Sequence, residues 1–327
     1  MPVQWVEATL EDEGQRIDNF LMRHLRQVPK GLIYRMIRKG EVRVNKGRIK
    51  QGYRVKAGDS IRIPPVRMTE KMPVALPKQS LAVIESAVLY EDADLMVINK
   101  PSGFAVHGGS GIHWGVVELV RALRPLAKRL ELVHRLDRDT SGCLLLAKKA
   151  SVLKALHAQI REDRFKKQYL ALVKGIWPKD KQKVDLPLKK NILQSGERVV
   201  RVDREGKPSI SYFQTVQSFE DAAFACSLVR VRLKTGRTHQ IRVHAQAKGH
   251  PIIGDDKYGD KALNKQFRQL GFKRMALHAH KLGFVHPVTE QWLEVEAPLE
   301  SAWHTLFQQL QAKLNDETPN KKGMRNG

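Results

Sequence analysis

Apolar side chains recur at helical spacing in the first forty residues of the chain. Within residues 15–27, and again in the stretch before Gly40, they lie three or four positions apart, so that each set shares one face of a helix. Gly40 is the kind of residue that commonly ends a helix. The pattern predicts two short helices that pack through Ile17, Phe20, Leu21, Leu25, Leu32, Ile33, Met36 and Ile37.

After Gly40, apolar and polar residues alternate instead of recurring at helical spacing. Residues 42–44 and 55–63 favour short strands, and the segments 45–47 and 57–59 (Asn-Lys-Gly and Ala-Gly-Asp) supply the residues of tight turns. We therefore predict a small domain of helices and strands over residues 12–67, which closes at Pro64-Pro65.

A second and larger domain is predicted over residues 88–315. In the segment before this domain, prolines and charged residues interrupt the apolar periodicity, which predicts a linker over residues 68–87. Strand-like runs then alternate with helical segments such as 151–161, where Ser151 is the expected N-cap, and this order predicts an α+β fold. The polar residues 316–327 are predicted to form a disordered tail. The predicted strands cover residues 95–99, 143–147, 169–173 and 228–233.

Charge narrows the possible partners. The chain has 58 Lys and Arg residues against 34 Asp and Glu residues, a formal net charge of +24. Such an excess gives sequence-independent affinity for nucleic acid, because bound cations displace the counterions of the phosphates. On charge alone, a basic surface without a partner is the alternative.

Other whole-chain features bear on location and chemistry. No apolar run approaches the roughly 18 residues of a membrane-spanning helix. The first residues also lack a basic start followed by an apolar block, so we expect a cytoplasmic protein that does not bind membranes. Cys143 and Cys226 lie in apolar, strand-like stretches and are expected to be packing residues.

Positive charge is concentrated in residues 12–67, which hold 15 Lys and Arg against 5 Asp and Glu. The segments RIDNFL, LIYRMIRKGEVRVN and AGDSIRI resemble the S4 RNA-binding domain, in which a helix pair and the following loop contact structured RNA. The alternative is that these charges only solvate a small helical domain. The candidate RNA-binding residues of this domain are Arg35, Arg38, Lys39, Arg43, Lys46 and Arg48.

Candidate chemistry is densest in residues 132–142, directly before a predicted apolar strand. Asp137 lies there between Arg135 and Arg138, and nearby cations favour the ionised form of a carboxylate. It could therefore act as a nucleophile or base. An isolated aspartate in this setting would ordinarily be a plain ion-pair partner.

The sequence HRLDRDTSG in this loop resembles the signature of the ribosomal large-subunit family of pseudouridine synthases. The resemblance implies that Asp137 is the catalytic residue, whereas Asp139 is expected to be a hydrogen-bonding residue of the loop. It also implies a catalytic domain with a mixed, mainly antiparallel sheet flanked by helices and loops. The implied activity converts uridine to pseudouridine in 23S ribosomal RNA or in a ribosome assembly intermediate.

Four other blocks resemble motifs of the same family, in the same order, so the likeness covers nearly the whole chain. They are NKPSG with VHG, KQYLALV, KTGRTHQIRVH and LHAHKLGFVHP. By resemblance, Tyr169 lies against the target base and Arg242 pairs with Asp137, with Arg237 as the rival for that pairing. Arg135, Arg237 and His239 are further candidate RNA-binding residues, the last two either contacting phosphate or bracing the loop.

The isomerisation needs a carboxylate, a closed pocket and a base for the C5 proton, but no cofactor. His239 and His244 suggest a metal by their spacing, yet no suitably spaced third ligand follows, so we predict no metal. We also predict no obligate protein partner. Two other functions remain open: an RNA-binding assembly factor with an inactive loop, and a hydrolytic nuclease or glycosylase. The sequence does not distinguish attack at C1′, attack at the ring and a glycal route.

Overall fold

The computed structural model describes residues 3–316, except 26–27, 67–75, 110–113, 128, 193–197 and 221–224. The chain divides into two compact units, Met1–Ala75 and Leu76–Gly327. Each unit has its own buried apolar core and is described separately.

The first unit packs two helices on a four-stranded antiparallel sheet of order β1-β4-β2-β3. Each helix packs on the sheet through one apolar face, because Ile17, Phe20, Ile33 and Ile37 all lie in the core. The two predicted helices are confirmed, and Gly40 ends the second one with a left-handed φ of 70°. The elements are β1 (Gln4–Glu7), a 3-10 turn (Leu10–Asp12), α1 (Ile17–His24), α2 (Lys30–Lys39), β2 (Arg43–Val44), β3 (Gly47–Arg48) and β4 (Ser60–Ile63).

The second unit is built on a ten-stranded sheet of order β10-β13-β14-β9-β15-β8-β6-β5, with β16 paired to β15 and β7 to β8. Its pairings are antiparallel except for β15 with β8, so the predicted mixed, mainly antiparallel α+β fold is confirmed. The elements are α3 (Lys78–Ser86), β5 (Val88–Glu91), β6 (Leu95–Lys100), α4 (Val116–Leu123), β7 (Glu131–Leu132), β8 (Ser141–Ala147), α5 (Ala150–Arg161), β9 (Lys166–Lys174), β10 (Gln182–Asp185), β11 (Leu188–Ile192), β12 (Arg198–Val202), β13 (Ile210–Glu220), β14 (Ala225–Leu233), α6 (Gln240–Ala247), α7 (Lys261–Gln269), β15 (Leu277–Val285), β16 (Trp292–Glu296) and α8 (Ser301–Asp316).

The central strands are buried on both faces. Along β6, Leu95 and Val97 enter one apolar cluster whereas Met96 and Ile98 enter another, and β8 alternates in the same way. This explains why their sequences are continuous apolar runs rather than alternating ones. Cys143 and Cys226 are both buried within this packing. Among the described residues, no helix combines the length and the apolar character that crossing a bilayer requires.

Several predicted boundaries were wrong. The strand β1 lies before residue 12 and pairs with β4, because a four-residue edge strand leaves too short a pattern to detect. Helix α3 occupies part of the predicted linker 68–87, since Leu81 and Ile84 pack on the core of the second unit. The N-cap of α5 is Lys149 rather than Ser151. The predicted tail 316–327 lies outside the described residues, apart from Asp316, which ends α8.

The start of β8 fixes the loop that carries Asp137. Gly142 pairs there with Ala279 of the parallel strand β15, and its φ of 107° is a conformation that favours glycine. A Cβ at Gly142 would lie well under 3.0 Å from the Ala279 backbone. The buried Lys100 also holds the loop, because its ammonium donates hydrogen bonds to the carbonyl oxygens of Arg138, Pro101 and Phe104.

We expect Gly142→Ala to destabilise the second unit by on the order of 3 kcal/mol, because a clash with backbone adds to backbone strain. Gly271→Ala is the matched control, since Gly271 also has a positive φ of 82° but no atom lies within 4 Å of the place that a Cβ would take. Thermal unfolding of the two variants measures the difference. Equal melting temperatures would contradict the close approach of β8 to β15.

Candidate active site

A cleft of about 660 Å³ lies in the second unit where three segments meet. The loop before β8, the start of β9 and the turn from β14 into α6 all line it. Six residues singled out from the sequence share its wall: Arg135, Asp137, Tyr169, Arg237, His239 and Arg242. Residues more than a hundred positions apart in the chain are thus brought together.

Arg242 lies in the wall of this cleft and bonds two carboxylates. Its Nη1 donates to Oδ2 of Asp137 at 3.0 Å, while its Nε and Nη2 donate to the two oxygens of Asp255 at 2.7 and 2.8 Å. The Asp255 side chain is fully buried, whereas 21% of the Asp137 side chain is exposed. The arginine is therefore anchored on one carboxylate and presents its remaining donor to the other.

Backbone groups complete the anchor. Oδ1 of Asp255 also accepts hydrogen bonds from the N–H groups of Lys257 and Tyr258 at 2.9 and 3.0 Å. Burial alone would raise the pKa of Asp255, but the hydrogen bonds and charge of Arg242 outweigh burial and lower it. Burial likewise disfavours the charged guanidinium, yet the two carboxylates hold the pKa of Arg242 above its ordinary value. The pair thus remains ionised in the protein interior.

Tyr169 lies on β9 and lines the cleft with Asp137. Burial, and after it the charge of Asp137, raises the pKa of the phenol, so the hydroxyl keeps its proton at neutral pH. The side chain offers a mostly buried ring in the same cavity as the carboxylate. An aromatic ring in this position can stack on a base that enters the cleft.

His239 braces the site from the N-cap of α6. Its backbone is left-handed, with φ 53° and ψ 21°, which is uncommon for a residue other than glycine. Its Nδ1 lies 2.8 Å from the hydroxyl of Tyr258, and its Nε2 lies 3.8 Å from Oδ2 of Asp137. Burial lowers the pKa of the imidazole, and the charge of Arg242 adds to that effect while Asp137 opposes it. These contacts are those of the loop-bracing role rather than of an exposed cation.

Arg237 and Arg135 are exposed side chains at the cleft. Arg237 donates from Nε to the carbonyl oxygen of Pro208 at 3.3 Å, whereas the bond to Asp137 comes from Arg242. The geometry therefore favours Arg242 over Arg237 as the partner of Asp137. Asp139 accepts a hydrogen bond from Arg138 at 3.2 Å and lies outside the cleft wall, in keeping with its expected place in the loop.

The candidate RNA-binding residues of the first unit lie on α2 and on the β2–β3 turn. All six side chains are exposed: Arg35, Arg38, Lys39, Arg43, Lys46 and Arg48. Arg43 donates from Nε to the carbonyl oxygen of Gly40, which holds its charge near the end of α2. The six charges are thus available to a partner of this unit.

Two residues that complete the candidate site had no role predicted for them from the sequence. Asp255 and Tyr258 follow α6 in the segment Ile-Ile-Gly-Asp-Asp-Lys-Tyr. The Tyr258 hydroxyl accepts a hydrogen bond from the N–H of Val200 at 2.9 Å, and its ring lies 5.0 Å from the guanidinium of Arg242. An apolar run that ends at an aspartate is the only signal in the sequence, and it does not say which cation the aspartate meets.

One cluster of possible metal ligands occurs among the described residues, away from the cleft. It consists of Asp92, Asp94 and His286. His286 already bonds Asp92 through Nε2 at 3.0 Å, and Lys149 lies 2.6 Å from Asp94. These contacts already engage all three side chains, and none of the three residues lines the cleft.

Comparison with known proteins bears on the activity. A model of the RNA pseudouridylate synthase family matches residues 94–247, and a model of the S4 domain matches residues 15–61. The chain is 53% identical over 312 residues to the "Ribosomal large subunit pseudouridine synthase C" of Escherichia coli (strain K12), covering 94% of this chain and 97% of the relative. The protein of the same name from Pasteurella multocida (strain Pm70) is 55% identical over 300 residues, or 91% of each chain.

Solved structures agree with the sequence relatives. "Human RNA Pseudouridylate Synthase Domain Containing 4" superposes with a TM-score of 0.58 at 25% identity, covering 71% of this chain and 96% of that one. "Human RNA Pseudouridylate Synthase Domain Containing 1" gives a TM-score of 0.55 at 26% identity, covering 69% and 94%. The similarity in fold thus accompanies the similarity in sequence.

We expect Asp255→Asn to lower the turnover rate by about 100-fold, because Arg242 loses the charged anchor that aims Nη1 at Asp137. Asp256→Asn is the matched control, since the neighbouring Asp256 is exposed and pairs with Arg268. Single-turnover rates of product formation on saturating RNA measure the effect. A rate for Asp255→Asn equal to that of the control would show that the anchor is dispensable.

Proposed function

The chain belongs to the RNA pseudouridylate synthase family, and on that premise we propose that it isomerises uridines of 23S ribosomal RNA with Asp137 as the reacting carboxylate. The observation that supports the assignment is the bond from Arg242 to Asp137 inside a cleft that Tyr169 also lines. The substrate follows from the large-subunit synthases to which the chain is similar. We propose that the substrate is free 23S RNA or a ribosome assembly intermediate in the cytoplasm. We also propose that the protein needs no obligate protein partner.

The reaction sets the chemical requirements. The C1′–N1 bond of uridine breaks, the base rotates while it is held, and C1′ joins C5. The C5 proton then leaves, and N1 gains a proton. Atoms are neither added nor lost, so no cofactor has to supply electrons or a group. The cleft volume of about 660 Å³ lies within the usual range for pockets that enclose a small ligand, so it can hold a nucleoside during the rotation.

The contacts of Asp137 suit a reacting group. Arg242 and His239 both approach the same oxygen, Oδ2. Within the described part of the chain, the other oxygen of Asp137 has no partner and is available to the substrate. A carboxylate held at one oxygen and open at the other needs little rearrangement to react, which is the advantage of a preorganised site.

Entry of the target nucleotide requires that it leave its stack, at a cost of a few kcal/mol. Tyr169 replaces part of the lost stacking, and the exposed cations Arg135 and Arg237 contact flanking phosphates. The six cations of the first unit hold structured RNA in a sequence-independent way. Binding should therefore weaken as the salt concentration rises.

We expect Asp137→Asn to lower pseudouridine formation by at least about 100-fold while RNA binding is retained, because the amide has the same shape but cannot act as nucleophile or base. The assay incubates each protein with protein-free 23S RNA and maps pseudouridine chemically. Asp139→Asn, in the same loop but outside the cleft wall, is the control.

A fully active Asp137→Asn enzyme would contradict the assignment. The mass of the RNA separates the remaining functions. An unchanged mass with mapped pseudouridine is isomerisation, released uracil or a cut chain is hydrolysis, and unmodified RNA bound by the wild-type protein indicates a binding factor.

We expect Arg35→Gln combined with Arg38→Gln to weaken RNA binding and to reduce the slope of log affinity against log salt by about 2, because each arginine neutralises about one phosphate. The matched control replaces Lys50 and Lys56, two other exposed cations of the same unit. Binding titrations at several salt concentrations give both slopes. Identical salt slopes for the two double variants would show that α2 is not part of the RNA-binding surface.

A further inference from the structure

One face of the sheet in the second unit is open to solvent and rich in cations. Tyr212 on β13, Arg232 on β14, Gln168 on β9 and Lys281 on β15 are successive partners in the strand register, so they form one row across four strands. A groove of about 230 Å³ follows this row. We call the surface around it the basic sheet face and define it by Lys166, Lys181, Arg230 and Arg232.

Helix α8 explains why only part of this side of the sheet is open. The helix packs on β13, where Phe307 stacks on Phe219 with ring centroids 6.0 Å apart. On β14, Leu228 is buried whereas Arg230 and Arg232, two and four residues further on, are exposed. The apolar half of the strand is covered, and the cationic half is left for another partner.

Aromatic rings, rather than carboxylates, contact three of these four cations. Lys181 Nζ and Arg232 Cζ lie 5.1 and 4.9 Å from the ring centroid of Tyr212. Lys166 Nζ lies 4.7 Å from the ring centroid of Trp292, whose side chain packs over Gly283. Such contacts fix the position of a cation but leave its charge unneutralised. The side chains therefore lose little entropy when an anion binds.

The balance of charge on this face is positive. Within the described residues, none of the four defining cations makes an ion pair with a carboxylate. The nearby acidic groups are Glu294, which lines the groove, and Glu296, which is bonded to Lys281 at 2.7 Å. Arg230 and Arg232 project from the same face of one strand about 7 Å apart, a spacing at which like charges repel. An anion that bridges them would relieve the repulsion.

The groove and the cleft lie on opposite faces of the sheet, because Gln168 and Tyr169 are neighbours on β9, but both reach the same ends of β9 and β14. Lys167 on β9 lines both, and its neighbours Lys166 and Gln168 line the groove. At the end of β14, Arg232 lines the groove and Leu233 and Lys234 line the cleft. A polyanion with one nucleotide in the cleft can therefore reach the groove by passing around these strand ends. Repeated phosphates match a line of separate cations better than a single anion does.

We propose that the basic sheet face binds the phosphate backbone of the RNA strand that flanks the target nucleotide. This inference rests on the proposed function, since it takes the same RNA as the ligand. Arg230, Arg232 and Lys181 contact phosphates, and Tyr212 holds two of these three side chains in place. The face acts in binding and takes no part in the chemistry, so its loss affects RNAs long enough to reach it.

The test replaces Lys181, Arg230 and Arg232 by Gln in the full-length protein. Two RNAs that carry the same target uridine are compared, a long 23S transcript and a stem-loop too short to leave the cleft. We expect KM for the long RNA to rise on the order of 10-fold and its salt slope to fall by about 2. The turnover rate on both RNAs and KM for the stem-loop should stay at wild-type values.

The matched control removes the same three charges elsewhere in the second unit, at the exposed residues Lys261, Lys265 and Lys273. A second variant, Tyr212→Leu, keeps every charge but frees Lys181 and Arg232. It should raise KM for the long RNA by less than the triple variant does. At low salt concentration, its KM should return to the wild-type value.

If the triple variant and its control have the same KM and salt slope on the long RNA, the inference is wrong. Unchanged RNA binding together with loss of an acidic protein partner would overturn it as well. Failure of the proposed function looks different, because the wild-type protein would then form no pseudouridine in either RNA.

Discussion

Arg242 holds a single positive charge between two carboxylates, and the proposed active site depends on that arrangement. Asp255 takes two of its donors inside the protein and is fixed in turn by two backbone N–H groups, so the guanidinium cannot rotate freely. The third nitrogen, Nη1, then donates to Asp137 in the wall of the cleft. Breaking a buried pair of this kind by removing one partner is costly, because it leaves an uncompensated charge. The same bonds therefore stabilise the unit and orient the carboxylate that we propose as the reacting group.

The sheet supplies the rigidity that this geometry needs. Asp137 comes from the loop before β8, Tyr169 from β9 and Arg242 from α6, so no local segment could bring them together. The loop is held from two sides, by the close parallel approach of Gly142 to Ala279 and by the three carbonyl bonds of Lys100. Burial lowers the pKa of that lysine to about 7, which reflects how far the loop is packed into the protein.

Most of the main helices and strands could be predicted from the sequence, since strong apolar periodicity indicates them. Distinctive motifs indicate the loop that carries Asp137. The two helices before Gly40 and the strands at 95–99 and 143–147 have apolar patterns that only burial explains, and the loop motif distinguishes Asp137 from Asp139. Edge strand β1 and helix α3 were missed because each is short and is stabilised by tertiary contacts. Asp255 and Tyr258 could not be predicted, because their roles depend on Arg242 and His239, which only the fold places beside them.

The central claim is that an extruded uridine meets Asp137 while Arg242 holds that carboxylate. A crystal structure of the protein bound to an RNA with its target uridine tests this most directly. The account predicts the uridine within the cleft, its base against the Tyr169 ring, and an Asp137 oxygen about 3–3.5 Å from the atom it attacks, with the Arg242 bond intact. A uridine still stacked in the RNA, or an Asp137 carboxylate turned away from it in the complex, would contradict the account.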